Sequence, residues 1–191
     1  MFKLILKQHW FLWLMLSVSW LLLPHADTAS WQRSAILGGH YWRLLSGNFC
    51  HNNFTHWLMN IAALILIYFC YNDRLSNRQF LQLSLIISGL GGYALLYGPY
   101  SEYVGLSALI HGLIAYAACI DIIKGRAKIG MVVVLGLAMK LLFEQIYGAD
   151  PWIKQMIGID IAIDAHLIYT LIGLSLAPLS WLPLWRNRSV Q

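Results

Sequence analysis

The sequence predicts an all-α membrane protein in which six transmembrane helices form one bundle. Three observations lead to this fold class: the composition, the spacing of the apolar runs and the distribution of the basic residues. Of the 191 residues, 59% are hydrophobic and only 11% are charged, whereas a soluble domain carries about a quarter charged residues. The mean hydropathy of +0.62 indicates a polytopic membrane protein.

Six apolar runs are long enough to cross a bilayer at ~20 residues per crossing. We expect helices at about 4–24, 55–72, 79–98, 104–123, 129–147 and 157–184. The first run is too long for the core of a signal peptide, and we expect it to be retained. The very short connection KGRAK predicts that the fourth and fifth helices are antiparallel neighbours. Because no repeat or linker is visible, residues 1–191 are predicted to form a single domain.

The basic residues predict the orientation of these helices. Nine of the 13 Lys and Arg lie on one side, which should be the cytoplasm: Lys3, Lys7, Arg74, Arg78, Lys124, Arg126, Lys128, Arg186 and Arg188. Both termini are then cytoplasmic. Five of the eight acidic residues lie on or near the opposite side: Asp27, Glu102, Glu144, Asp150 and Asp160. The net charge of +5 is explained by this topology, and nucleic-acid binding is not expected.

Four polar side chains on three predicted helices reach the same depth, near the outer surface: Ser107, His56, Asn60 and His166. Polar groups at membrane depth are costly, so they usually face the bundle interior and often mark function. Ser107 lies in a first helical turn, where free backbone N–H groups could stabilise an oxyanion, and Gly105 lets a substrate approach closely. The alternative is that Ser107 only bonds a neighbouring carbonyl or packs against another helix.

A serine nucleophile needs a base, and two histidines are candidates. His111 lies one turn deeper on the same helix, where water is scarce, while His166 can reach Ser107 from another helix at a shallower depth. We favour His166 as the base and expect His111 to have a packing or supporting role. Neither Asp160 nor Asp164 has the helical spacing to orient His166, so the sequence favours a Ser–His dyad over a triad.

His56 and Asn60 are four residues apart and lie on one helical face. With the Ser107 N–H, their side chains could form an oxyanion hole, and His51 could steady the neighbouring loop. The alternative for this pair is a set of interhelical polar contacts.

Other site chemistries are not supported by the sequence. There is no H-E-x-x-H motif for a zinc protease, no G-x-G-D segment and no phosphate-binding glycine loop. The three cysteines lie in different segments and predict neither a disulfide framework nor a zinc site.

Four short motifs together resemble the rhomboid family of intramembrane serine proteases. They are WR at Trp42–Arg43, the H-x4-H-x3-N spacing of His51, His56 and Asn60, GLS at 105–107, and AH at 165–166 with Gly173. The resemblance covers about residues 40–175. It implies a rhomboid-like six-helix domain and a serine-type endopeptidase that acts on membrane-anchored proteins with a C-terminal or single-pass helix, without cofactor or metal.

The resemblance also implies roles for individual residues. Ser107 would be the nucleophile, His166 the general base, and His56, Asn60 and the Ser107 N–H the oxyanion donors. Trp42 and Arg43 would fix the outer loop against the bundle. The chain departs from the family pattern at Ala108 and, more seriously, at Tyr169, where a glycine normally lets the fourth and sixth helices approach closely.

The continuation SALIHG, from Ser107 to Gly112, resembles the rhombosortase subgroup. That resemblance implies a bacterial inner-membrane enzyme with its site facing the periplasm, which removes a C-terminal Gly-Gly sorting tail from secreted or surface proteins. Two alternatives remain: a catalytically inactive relative that binds membrane helices, and a small transporter, against which the clustering of polar residues at one end argues.

Overall fold

The computed structural model describes residues 7–181 of the chain. Its helices, in chain order, are α1 (Trp10–Leu22), α2 (Ala26–Ala29), α3 (Arg33–Leu37), α4 (Arg43–Ser46), α5 (Phe54–Tyr71), α6 (Asn77–Ala94), α7 (Ser107–Ile123), α8 (Ala127–Tyr147), α9 (Pro151–Ile157) and α10 (Ile163–Leu176). Short 3₁₀ helices cover Leu23–His25, Gly47–Phe49, Leu95–Tyr97 and Ala177–Trp181. Two strands, β1 (Trp31–Gln32) and β2 (Glu102–Tyr103), pair antiparallel.

Within the described residues, three helices are long and apolar enough to cross a membrane: Phe54–Tyr71, Asn77–Tyr97 and Ala127–Tyr147. Two further apolar helices are shorter, Ser107–Ile123 and Ile163–Leu179. The predicted all-α, multi-pass membrane architecture is therefore confirmed, whereas the count of six spans stays a prediction.

The second to fifth predicted helices agree with α5 to α8 to within a few residues. The last one differs, because residues 151–157 form the separate helix α9 and α10 begins only at Ile163. Residues 4–6 and 182–184 of the first and last predicted helices lie outside the described residues, as do Lys3, Arg186 and Arg188.

Local sequence explains the helix α9, which lies almost entirely between the fifth and sixth predicted helices. The Asp150 side chain accepts hydrogen bonds from the N–H groups of Trp152 and Ile153, at 2.8 and 3.2 Å, and Pro151 occupies the first turn, where its missing N–H costs nothing. Gly158 ends the helix in the left-handed region with a φ of 75°.

Helix α7 is the centre of the bundle, because 12 of its 17 residues are buried. It packs most extensively against α10 and also against α8. Helix α8, in contrast, has only Gly130, Leu137 and Leu141 buried among its 21 residues, so most of its apolar surface faces outward. This packing fixes Ser107 and His166, which lie at the beginning of α7 and of α10.

The segment from α2 to α4 folds back onto α6 through the side chain of Trp31. This indole is fully buried, and its Nε1 donates a hydrogen bond to the carbonyl oxygen of Gly92 at 2.8 Å. A Cβ on Gly47 would lie 2.5 Å from the Cβ of Trp31, so a glycine is required where the two segments cross. Trp31 also faces Tyr103 across the β1–β2 pair, which ties this segment to the approach to Ser107.

Trp42 and Arg43, for which the family resemblance implies loop anchoring, lie within the same segment. The guanidinium of Arg43 donates to the carbonyl oxygen of Ser30 at 2.7 Å and lies over the Trp42 ring, 5.0 Å from its centroid. Trp42 itself is about half exposed, at 51%. The buried anchor of this segment is therefore Trp31, and Arg43 adds a polar contact beside it.

Candidate active site

Ser107 is the first residue of α7 and is half-buried. The chain turns from β2 into this helix at Gly105, whose φ of 122° few other residues tolerate. Two hydrogen bonds hold the turn in place: the Gly105 N–H donates to the Gly47 carbonyl at 3.1 Å, and the Tyr103 hydroxyl donates to the Gly105 carbonyl at 2.5 Å. The serine therefore lies on a braced turn at a helix N-terminus.

His166, in the first turn of α10, faces Ser107 across the interface between the two helices. Its Nε2 lies 3.0 Å from Ser107 Oγ, and the residue is only 4% exposed. A hydroxyl and an imidazole at this separation are within hydrogen-bond reach, as a nucleophile and its general base must be.

His111 lies beside His166, with its ring stacked on the His166 ring at a centroid distance of 4.2 Å and an interplanar angle of 11°. Its Nδ1 is 2.6 Å from the Ser107 carbonyl oxygen. Since a carbonyl only accepts, Nδ1 of His111 carries the proton. His111 is thus tied to the first turn of α7 and supports one face of His166.

A carboxylate outside the predicted site residues contacts the other ring nitrogen of His166. Oε2 and Oε1 of Glu144, near the end of α8, lie 3.0 and 3.2 Å from Nδ1 of His166. The two aspartates predicted near the site have other partners: Asp160 is exposed and pairs with Lys154, and Asp164 flanks Tyr100. The expectation of a dyad without a carboxylate was based on α10 alone, and it missed the neighbouring helix.

A signal for Glu144 was present in the sequence. Gly125 lies in the turn between α7 and α8, and Ser107 and Glu144 are almost equally far from it along the chain. Antiparallel helices joined by such a short turn bring these two positions to the same depth, and an ionisable residue in an apolar helix is itself a functional hint.

His56 and Asn60 of α5 are both buried and lie against the backbone at Gly105. A Cβ on Gly105 would lie 2.8 Å from Nε2 of His56 and 3.5 Å from Nδ2 of Asn60. Nδ2 of Asn60 makes no hydrogen bond to any residue of the described part of the chain. Both side chains can therefore offer N–H groups to a ligand at the serine.

The His51 ring packs edge-on against His56, with a centroid distance of 5.1 Å. Burial lowers the pKa of His51 to about 3, with a smaller contribution from His56. His51 is therefore neutral at physiological pH, and it supports the His56 ring as an uncharged neighbour.

A cavity of about 490 Å³ lies in front of Ser107. Its walls come from the segments around β1 and β2 and from residues 157–162, and they include His56, Tyr103, Ser107, Ile157, Asp160 and Ala162. The side chains of Asn52 and Asn53 each donate to the carbonyl oxygen of Ile157 at 2.9 Å, which holds the end of α9 over the cavity. A chain of several residues fits this volume beside the serine.

His111, Glu144 and His166 could each offer one ligand atom to a metal ion, and these atoms lie within 4.8 Å of one another. However, an imidazole lone pair lies in the plane of its ring, and the two rings are nearly parallel. Their lone pairs therefore do not converge on one point. The arrangement suits a hydrogen-bonded group better than a metal centre.

One family model, described as the Rhomboid domain, matches residues 38–182 of the chain. The chain belongs to the rhomboid family. The members of this family are generally serine intramembrane proteases that act on membrane-protein substrates in the bilayer. None of the curated proteins matches the chain at a significant level.

In this rhomboid, Tyr169 stands where the family resemblance implies a glycine, and its ring is accommodated away from the serine. The Tyr169 ring is fully buried and points toward α6, where a Cβ on Gly91 would lie 2.2 Å from its Cζ. The close approach of α7 to α10 occurs one turn later, where a Cβ on Gly173 would lie 2.1 Å from the Gly112 carbonyl oxygen. Gly91 thus provides the space for the tyrosine ring, and Ala108, the other departure, is fully buried in α7.

Proposed function

We propose that this rhomboid is an intramembrane serine endopeptidase with Ser107 as nucleophile and His166 as general base. The observation that supports it best is the 3.0 Å separation between Ser107 Oγ and His166 Nε2 beside a cavity of about 490 Å³. A serine that served only to satisfy a neighbouring carbonyl would need neither an imidazole nor a cavity.

The reaction follows acyl-transfer chemistry. Nε2 of His166 takes the hydroxyl proton while Ser107 Oγ attacks the scissile carbonyl carbon, giving a tetrahedral intermediate. The C–N bond then breaks, and the imidazolium gives its proton to the leaving amine. Water, deprotonated by the same nitrogen, attacks the acyl-enzyme and releases the carboxylic acid and the free serine.

Three donors are available for the oxyanion of the intermediate: the Ser107 backbone N–H, His56 and Asn60. The first N–H groups of a helix have no intrahelical partner, and the two side chains lie against Gly105, two residues before the serine. Each such donor contributes about 2.7 to 4 kcal/mol to catalysis in well-studied hydrolases.

The proposed substrate is a membrane helix that is cut near the outer face of the bilayer. A helical peptide hides its carbonyl groups, so the segment must unwind at the cut, and glycine lowers the cost of unwinding. The SALIHG resemblance favours the C-terminal Gly-Gly sorting tail of secreted or surface proteins. The same proposal includes six spans, a bacterial inner membrane, cytoplasmic termini and a site that faces the periplasm.

The proposal is tested with the purified full chain in detergent. The substrate is a reporter protein that ends in Gly-Gly, an apolar helix and a basic tail. Wild type should cleave it and should be labelled at Ser107 by a fluorophosphonate, while Ser107→Ala and His166→Ala should do neither. Binding of the reporter without cleavage or labelling would favour the alternative, an inactive relative that holds membrane helices. Activity of His166→Ala with loss in His111→Ala would reverse the choice of base.

A further inference from the structure

The carboxylate of Glu144 lies on the side of His166 that faces away from Ser107. One ring nitrogen of His166, Nδ1, is 3.0 and 3.2 Å from the two oxygens of Glu144, and the other, Nε2, is 3.0 Å from Ser107 Oγ. An ionised carboxylate only accepts hydrogen bonds, so the proton of this contact belongs to Nδ1. The lone pair on Nε2 is then directed at the serine hydroxyl, as a general base requires.

The contact is enclosed within the bundle. The side chains of His166 and Glu144 are 5% and 13% exposed, so little water competes for their hydrogen bond. Nζ of Lys140, one turn earlier on α8, lies 2.6 Å from Oε1 of Glu144. The carboxylate thus has an opposite charge beside it in an apolar environment where an isolated charge would be very costly.

The remaining freedom of the His166 ring is restricted by His111. Its ring covers one face of His166 at 4.2 Å, and its Nδ1 is held by the Ser107 carbonyl. A stacked ring limits tilting, but it does not choose which nitrogen of His166 carries the proton. Among the contacts that the ring makes within residues 7–181, only the hydrogen bond to Glu144 makes that choice, because the Ser107 hydroxyl can either donate or accept.

We propose that Glu144 is a positioning residue that holds His166 in the productive tautomer, so that a Ser107–His166–Glu144 triad operates across α7, α10 and α8. This inference rests on the proposed function. The carboxylate stays ionised, and it stabilises the imidazolium that forms when Nε2 takes the serine proton. A purely structural role, in which Glu144 only pairs with Lys140 and links α8 to α10, would not affect the chemical step.

The first test measures fluorophosphonate labelling of Ser107 in the full chain, because this readout does not depend on the identity of the substrate. Glu144→Gln should lower the maximal labelling rate by roughly 10²- to 10⁴-fold and leave the half-saturating probe concentration nearly unchanged. Glu144→Asp, which restores a carboxylate, should recover part of the rate. Asp164→Asn is the matched control, since it neutralises a carboxylate on α10 that does not touch His166, and it should label like wild type.

The second test reads the tautomer directly by ¹⁵N NMR of histidine-labelled protein in detergent, with His166 assigned through His166→Gln. Wild type should show a proton on Nδ1 and none on Nε2, and Glu144→Gln should lose this preference. This measurement also decides the inference if Glu144→Gln proves too unstable to label, because the wild-type tautomer is then compared with that of Glu144→Asp.

The two proposals fail in different ways. If wild type is labelled and folded Glu144→Gln is labelled within about threefold of its rate, the triad is wrong while the protease assignment stands. If wild type is not labelled at all, the protease assignment fails, and the NMR experiment still decides whether Glu144 sets the tautomer. A wild-type His166 with its proton on Nε2 would overturn the inference in either case.

Discussion

Gly112 of α7 and Gly173 of α10 meet backbone to backbone. A Cβ on Gly173 would lie 2.1 Å from the Gly112 carbonyl oxygen and 2.8 Å from its carbonyl carbon, which no side chain can accommodate. Ser107 and His166 precede these glycines on the same two helices. The crossing of α7 and α10 therefore sets how far apart the side chains of Ser107 and His166 lie.

Gly173→Ala should push α10 away from α7 and separate the candidate catalytic groups. Since a misplacement of 1 Å can cost about 100-fold in rate, we expect fluorophosphonate labelling of Ser107 to fall by at least about tenfold. Gly136→Ala is the control, because Gly136 is helical, an added Cβ would meet no atom of another element within 4 Å, and the helix gains propensity on substitution. Equal labelling of the two variants would contradict this account of the crossing.

Gly105→Ala should disturb the turn that presents the serine, for two separate reasons. Its φ of 122° is strained for alanine, and the new Cβ would lie 2.8 Å from Nε2 of His56. Gly39→Ala has the same backbone strain without the steric clash, since the φ of Gly39 is 103° and no atom lies within 4 Å of the position that a new Cβ would take. Both variants should lose about 1 to 3 kcal/mol of stability from strain, measured by thermal unfolding in detergent, but only Gly105→Ala should lose Ser107 labelling.

The sequence indicated how deep each residue lies along its helix, but it did not indicate how each helix is rotated about its own axis. Apolar run lengths located the long helices to within a few residues, and the shared depth of Ser107 and His166 in their helices predicted that they could meet. Glu144 was missed because its contact with His166 depends on how α8 is rotated against α10, which no spacing within α10 reports. Lys140, four residues before it, also gave Glu144 an ordinary explanation as half of a helical ion pair.

Two other features of the fold differ in whether a short window of sequence could have predicted them. Helix α9 could have been predicted, since Asp150 and Pro151 form a helix-start signal and Gly158 a stop. The anchoring of Trp31 could not have been predicted. Any buried indole needs some hydrogen-bond acceptor, and the acceptor here is a backbone carbonyl 61 positions away along the chain. Tertiary partners of this kind follow from packing and leave no trace in a short window of sequence.

His56→Ala and Asn60→Ala should each lower the rate of peptide cleavage by about 100-fold while affecting substrate affinity little, because an oxyanion donor acts mainly in the transition state. Cleavage of the Gly-Gly reporter in detergent measures this, with kcat and KM determined separately. His25→Ala, at an exposed histidine that ends the 3₁₀ helix Leu23–His25, serves as the control and should behave as wild type. A rise in KM with constant kcat would indicate that His56 and Asn60 contact the substrate but not the oxyanion.

Gly91 and Tyr169 should be energetically coupled. Gly91→Ala places a methyl group 2.2 Å from the buried Tyr169 ring and should lower the unfolding temperature. Tyr169→Ala leaves a cavity and should cost about 3 to 5 kcal/mol. The double variant should be less destabilised than the sum of the two single variants, by at least about 0.5 kcal/mol. If the stability losses of the two single variants were strictly additive, the packing of the Tyr169 ring would not depend on Gly91.

His51 should make the fold sensitive to acid. Its ring is fully buried, and burial lowers its pKa from 6.5 to about 3. Between these two pH values the unfolded chain binds a proton at His51 that the folded chain does not. Folding stability should therefore decrease as the pH falls through this window, by up to about 1.4 kcal/mol per pH unit, and His51 should contribute no pH dependence above it.

His51→Gln removes this titration and keeps a neutral polar side chain in the same place. Thermal unfolding in detergent, followed from about pH 8 down to about pH 4, should give a flatter stability curve for the variant below about pH 6.5 than for wild type. His25→Gln, at an exposed position, should follow the wild-type curve. If His51→Gln and wild type lose stability in parallel over this range, His51 takes up its proton equally in the folded and unfolded chains, and the burial of its ring does not suppress ionisation.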